Sequence, residues 1–134
     1  MSIVVGYVPT PEGRVALQRA ADEAMLRQVA LIVVDAPASS RAHSGDQESG
    51  ESELAAIFAQ LSTRGISHER RATPQRGDLS DHLIATAEES GAEFIVIGLR
   101  RRSTVGKLIL GSHAQRILLE AACPVLAVKA EDRV

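Results

Sequence analysis

Aliphatic runs at residues 3–8, 30–35, 93–98 and 125–128 alternate along this chain with segments whose apolar residues recur at helical spacing. No other feature restricts the fold as much. A strand written as an unbroken aliphatic run is buried on both faces, which is the habit of parallel sheets covered by helices on either side. After Ile3-Val4-Val5-Gly6-Tyr7-Val8, Thr10 is placed to cap a helix that Pro11 and Glu12 begin. Leu17, Ala20, Ala21 and Ala24 share one face of that helix, which runs to about Gln28. A second helix carries Leu54, Ile57, Phe58 and Leu61 and stops at Gly65. Residues 66–73 form a more polar strand, suited to a sheet edge. Gly77-Asp78 opens a third helix with Leu79, Leu83 and Ala87 on one face, ended by Gly91. Residues 98–111 read as a loop, and Ser112 starts a fourth helix with Ala114, Ile117, Leu118 and Ala121 facing inward. Strand–helix alternation of this kind predicts an α/β fold, a three-layer α/β/α sandwich around a five-stranded parallel sheet with right-handed crossovers.

The 134 residues suggest one domain. Residues 36–53 are rich in Ser, Gly, Asp and Glu and have no large apolar residue, so they read as a flexible loop inside that domain. Aromatics make up 2% of the chain, so the core must be Val, Ile, Leu and Ala, and a stacking platform for single-stranded nucleic acid is excluded. A net charge of −2 points away from DNA and from anionic membranes. Cys123 is the single cysteine, which precludes an internal disulfide and favours a reducing, cytoplasmic home. The chain starts without a basic, apolar leader pattern, and no apolar run approaches the roughly 18 residues that span a bilayer.

In an open parallel sheet, ligands bind beyond the carboxyl ends of the strands, where strand order reverses. The loop after the fourth strand is the strongest candidate. Residues 98–119 carry Arg100, Arg101, Arg102, Lys107 and Arg116 and no acidic residue. Gly98, Gly106 and Gly111 allow close backbone approach. Ser112 and Gln115 fit a capping box, at a helix N-terminus that favours phosphate. Read locally, Gly111-Ser112 is either that anion site or a plain turn and cap. Gly106-Lys107 is not a P-loop, since Arg101 and Leu108 stand where the motif needs Gly and Ser or Thr. His43, His68, His82 and His113 make no metal spacing with Cys123 and read as surface residues, while Cys123 reads as a small core residue. Asp35 ends the second strand, where it either meets a ligand or simply terminates the strand. No paired carboxylates and no nucleophile–base pair stand in the expected site, so a binding module is expected and not an enzyme.

These motifs together resemble the universal stress protein family over nearly the full length. Nucleotide-binding members carry G-x2-G-x9-G-[ST] after the fourth strand, and here Gly98, Gly111 and Ser112 match the first, third and last positions. Residues 116–128 look like the family's last helix and strand, and Gly77-Asp78 is similar too. The resemblance implies the sheet order 3-2-1-4-5, with the crevice between the first and fourth strands. It implies ATP or another adenine nucleotide as ligand, accompanied by magnesium, at Val8, Pro9, Thr10, Asp35, Gly98, Arg100, Arg101, Gly111, Ser112 and His113. It also implies a stress-response sensor or regulator that dimerises through residues 124–128. The runner-up is a scaffold of the same fold that binds no nucleotide and acts through dimer and partner contacts. Two positions depart from the pattern. Arg101 replaces the second Gly, and Val8 with Pro9 stands where members carry an Asp and a small residue.

Overall fold

The structure is a computed structural model that describes residues 1–36, 47–74, 76–100 and 111–130. In chain order the elements are β1 (Ser2–Tyr7), α1 (Pro11–Arg27), β2 (Ala30–Asp35), α2 (Gln47–Thr63), β3 (His68–Ala72), α3 (Leu79–Ser90), β4 (Ala92–Arg100), α4 (Ser112–Glu120) and β5 (Val125–Ala130). All neighbouring strands pair in parallel, in the order β3-β2-β1-β4-β5. The expected architecture and strand order are therefore both present.

Strand periodicity sorts the core into two halves. Ile3, Val5, Tyr7, Leu31, Val33, Phe94 and Val96 face one side, against Leu17, Ala20 and Ala24 of α1 and Leu54, Ile57 and Leu61 of α2. Val4, Ile32, Val34, Ile95, Ile97 and Leu99 face the other, against Leu83 and Ala87 of α3 and Ile117 of α4. Each large aliphatic side chain fully removed from water in this way contributes about 1.5–3 kcal/mol. Fully buried Ala16, Ala20, Ala21 and Ala24 give α1 a small-residue face, so it lies across β1, β4 and β5.

The helix ends explain where the elements start and stop. Thr10 Oγ1 accepts the Gly13 N–H at 3.2 Å, and Pro11 fills the first helical position, as the sequence predicts. Asp78 caps α3 through the N–H groups of Ser80 and Asp81, and Gly91 closes it at φ 61°, in the left-handed region that suits glycine.

Four expectations need correction. α2 begins at Gln47, so residues 47–53 are helix and not loop, while residues 37–46 lie outside the described residues. The polar segment hid a helical start that is held by ion pairs: Glu51 meets Arg70 at 2.6 Å and Glu53 meets Arg14 at 3.3 Å. β4 continues to Arg100, two residues past the expected end at Gly98, so Leu99 and Arg100 are strand and not loop. Ser112 is the first helical residue and Gly111 is the N-cap, with no side-chain cap bond, so the predicted capping box is absent. Leu118 is exposed, because Ile117 alone among the expected large residues of α4 turns into the core.

Candidate functional site

β1 pairs with β2 on one side and β4 on the other. The chain leaves β1 towards one face of the sheet, into α1, and reaches α4 on the opposite face after β4. Divergence of the two exits opens a cleft above the carboxyl ends of β1 and β4, the place the switch-point rule assigns to a ligand. The cleft has a volume of about 370 Å³.

Its base is apolar, made by Val8, Leu79, Leu83, Ile97 and Ile117. Polar groups stand around this base: Glu12 on α1, Arg100 at the end of β4, and His113 on α4, with Gly111 beside it. The first turn of α4 opens here without a side-chain cap. Its early N–H groups and the positive end of the helix dipole are thus presented to whatever occupies the cleft.

Close packing sets this geometry. A Cβ at Gly13 would stand 1.8 Å from the Val8 carbonyl oxygen, and one at Gly98 would stand 1.9 Å from the Glu12 carbonyl oxygen. Both glycines let α1 press its first turn against β1 and β4. The bend itself is tight, with the Thr10 N–H donating to the Val8 carbonyl at 2.8 Å. Gly111 differs: a Cβ there meets nothing within 4 Å among the described residues, and its φ of −70° is ordinary.

His113 is set by α3. Its Nδ1 lies 3.5 Å from Asp78 Oδ1 and 3.4 Å from Ser80 Oγ. The Ser80 hydroxyl donates to Asp78 Oδ1, and with the Ser80 and Asp81 amides it holds the Asp78 carboxyl below the usual carboxylate range. An ionised Asp78 favours the Nδ1–H form of His113. Arg116 belongs to the same group. It reaches Asp81 at 2.5 Å, Glu120 at 3.0 Å and Asp78 at 3.7 Å, so its charge is already matched by three acids. Burial raises the Cys123 thiol above its ordinary range, which leaves it a poor nucleophile. Among the described residues, no group of three or more His, Cys, Asp or Glu is arranged to hold a metal.

Of the residues expected at the site, Val8, Gly98, Arg100, Gly111 and His113 line the cleft. Pro9 is buried in the β1–α1 bend and Thr10 caps α1, so both shape the rim from behind. Ser112 is exposed just beyond it. Asp35 stands elsewhere, buried and clamped by Arg70 Nε at 2.5 Å and Nη2 at 3.1 Å. Arg101, Arg102 and Lys107 lie outside the described residues. Sequence reasoning missed Glu12, Gly13 and the wall made by Leu79, Leu83 and Ile117. The helical pattern marks those three as core, which they also are, and Glu12 reads in the sequence only as a first-turn acid.

Comparison with known proteins agrees with this architecture. The model of the universal stress protein family matches residues 1–129. A universal stress protein of Mycolicibacterium smegmatis is 41% identical over 127 residues, covering 95% of this chain and 96% of that one. A solved universal stress protein of Archaeoglobus fulgidus superposes with a TM-score of 0.71 at 33% identity, covering 96% of this chain and 98% of its own. A universal stress protein from the same organism, solved in complex with dAMP, superposes with a TM-score of 0.66 at 27% identity, over 96% and 98% of the two chains.

Proposed function

This chain belongs to the universal stress protein family, and on that premise we propose that its cleft binds an adenine nucleotide, ATP first among them, as a sensor or regulator without turnover. One observation carries the proposal: the uncapped N-terminus of α4 opens into an apolar cleft at the switch point of the sheet. The polyphosphate takes the Gly111–His113 end, where N–H donors and the helix dipole converge. Arg100 and His113 add charge-assisted contacts to phosphate oxygens. The base lies over Val8, Leu83 and Ile97. The relative solved with dAMP supports an adenine nucleotide as the class of ligand. A magnesium ion arrives with the phosphates.

A homodimer through β5 belongs to the same reading. Val125, Leu126, Ala127 and Val128 lie half-buried on the outer strand of the sheet. Exposed Leu118 and Leu119 on α4 lie a few residues before that strand. An apolar edge of this kind invites pairing, and it favours the second reading, a scaffold acting through its contacts, if nucleotide is absent. No helix among the described residues is long and apolar enough to cross a membrane.

Mass spectrometry of small molecules released from the purified protein, followed by calorimetry with ATP and ADP, tests the nucleotide reading. Copurified adenylate or saturable binding is expected. Absence of both at millimolar nucleotide leaves the scaffold.

A further inference from the structure

His113 lies in the first turn of α4 and lines the cleft, with its side chain 60% exposed. Its Nδ1 is 3.4 Å from Ser80 Oγ and 3.5 Å from Asp78 Oδ1. Ser80 is fully buried, and its hydroxyl donates to Asp78 Oδ1. The Ser80 hydroxyl and the amides of Asp81 and Ser80 hold the Asp78 carboxyl below the usual carboxylate range, so it stays ionised in mild acid. An ionised carboxylate only accepts hydrogen bonds, so the one proton of the Ser80 hydroxyl is committed to it. Ser80 therefore turns a lone pair to the ring, and a lone pair requires a proton on Nδ1. Asp78 adds its negative charge on the same side. Nε2 lies on the opposite edge of the ring and has no partner among the described residues.

Resting on the nucleotide reading above, we infer that Asp78 and Ser80 are positioning residues that keep the ring proton of His113 on Nδ1, so that His113 holds phosphate only after Nε2 takes a second proton, and nucleotide uptake is favoured by acid. In neutral imidazole with its proton on Nδ1, Nε2 is a bare acceptor. Phosphate oxygens are acceptors as well, so the neutral ring offers them nothing. A proton taken from solvent turns Nε2 into a charged donor, and imidazole is the side chain that ordinarily makes this change near neutral pH. The neighbouring charges are otherwise engaged or stand across the cleft. Arg116, on the same helix, meets Asp81 at 2.5 Å and Glu120 at 3.0 Å, and approaches the other oxygen of Asp78 at 3.7 Å. His82 on α3 directs Nδ1 to Thr73 Oγ1, 3.2 Å away. Glu12 on α1 and Arg100 on β4 line the same cleft.

Calorimetry of ATP binding at about pH 5.5 and about pH 8 tests this on the unmodified protein, His113→Gln and Asp78→Asn. The terminal phosphate of ATP titrates in the same window, but its contribution is common to all three proteins and cancels between them. On passing from acid to alkaline pH the unmodified protein should lose at least about tenfold more affinity than His113→Gln, the equivalent of one charge-assisted hydrogen bond. Asp78→Asn keeps an N-cap for α3 but no longer fixes the ring proton, so its loss should fall close to that of His113→Gln. Nitrogen NMR of the ligand-free protein at about pH 8 gives a second readout, with the His113 signal identified by its absence in His113→Gln. The proton should sit on Nδ1 in the unmodified protein and be shared between both nitrogens in Asp78→Asn. Equal losses in the unmodified protein and His113→Gln overturn the inference while the nucleotide reading stands. So does a proton on Nε2 of the unmodified protein, or an Asp78→Asn variant that keeps the full pH dependence or the pure Nδ1 form. Failure of the unmodified protein to bind ATP at either pH overturns the nucleotide reading and the inference with it.

Discussion

A methyl group added at Gly98 would stand 1.9 Å from a backbone oxygen in the first turn of α1, and no side-chain rotation relieves a clash between a Cβ and main chain. Gly98→Ala should therefore destabilise the protein by about 1–3 kcal/mol or more, the range of overpacked cores, read as a lower urea midpoint. Gly111 is the opposite case, with nothing within 4 Å of its missing Cβ among the described residues and an ordinary φ of −70°. Gly111→Val should leave the urea midpoint within about 0.5 kcal/mol. It should weaken ATP by about tenfold or more, because the new side chain takes up space that the phosphates need. Unchanged calorimetric affinity in that variant would remove phosphate from the first turn of α4. The motif spacing made both glycines legible in the sequence. Their different duties were not, because a pattern of letters does not show which backbone lies across from each one. Glu12 was illegible as a cleft-lining residue for the same reason: its place there is set by the packing of the first turn of α1 on Gly98.

Elements were legible wherever apolar periodicity was strong, as in β1, β2, β4, α1 and α3, and blurred where charge holds a segment. α2 is the clearest case. Its first turns carry Glu51 and Glu53, and their partners Arg70 and Arg14 come from β3 and α1, far off in sequence. Arg70 also pairs with Asp35, whose side chain is only 4% exposed. The Glu51 and Asp35 carboxylates raise the Arg70 pKa, so the guanidinium stays charged throughout the accessible range. Arg70→Met should cost about 3 kcal/mol or more, since it strands a buried charge at Asp35. Adding Asp35→Asn should restore much of the loss, a coupling that a double-mutant cycle in denaturant measures. At the start of α3, Asp78 has its pKa lowered by the Ser80 hydroxyl and the amides it caps. A lowered folded pKa contributes stability that is present above the ordinary carboxylate range and lost as pH falls through the folded value. Asp78→Ala should thus cost about 1 kcal/mol at pH 7 as a lost cap. The gap from the unmodified protein should close as acid titrates Asp78, which urea unfolding across a pH series checks.

At the scale of the molecule, the two sheet edges differ. β3 ends the sheet with His68, Glu69, Arg70 and Arg71, and Arg71 is engaged by Glu69 at 3.0 Å and Glu89 at 3.5 Å. Charges of this kind discourage another strand. β5 is aliphatic, and its inner register is fixed by the Ile95 N–H, which donates to the Pro124 carbonyl at 3.0 Å. Alternation in a parallel pair then turns the N–H groups of Leu126 and Val128 towards β4, and those of Val125 and Ala127 outward. Ala127→Pro should remove an outward donor and turn the proposed dimer into monomers in sedimentation, with the melting temperature of the monomer little changed. Leu126→Pro should instead break the β4 ladder and unfold the chain. A second consequence concerns stoichiometry. Joining two copies edge to edge across a two-fold axis runs the outer strands antiparallel and merges two sheets into one of ten strands, bounded at both ends by a charged β3. Among the described residues such a pair would leave no aliphatic edge strand, so it would close as an isologous pair and would not propagate into a fibre. Raising the concentration should carry the mass up to twice that of the chain and no further.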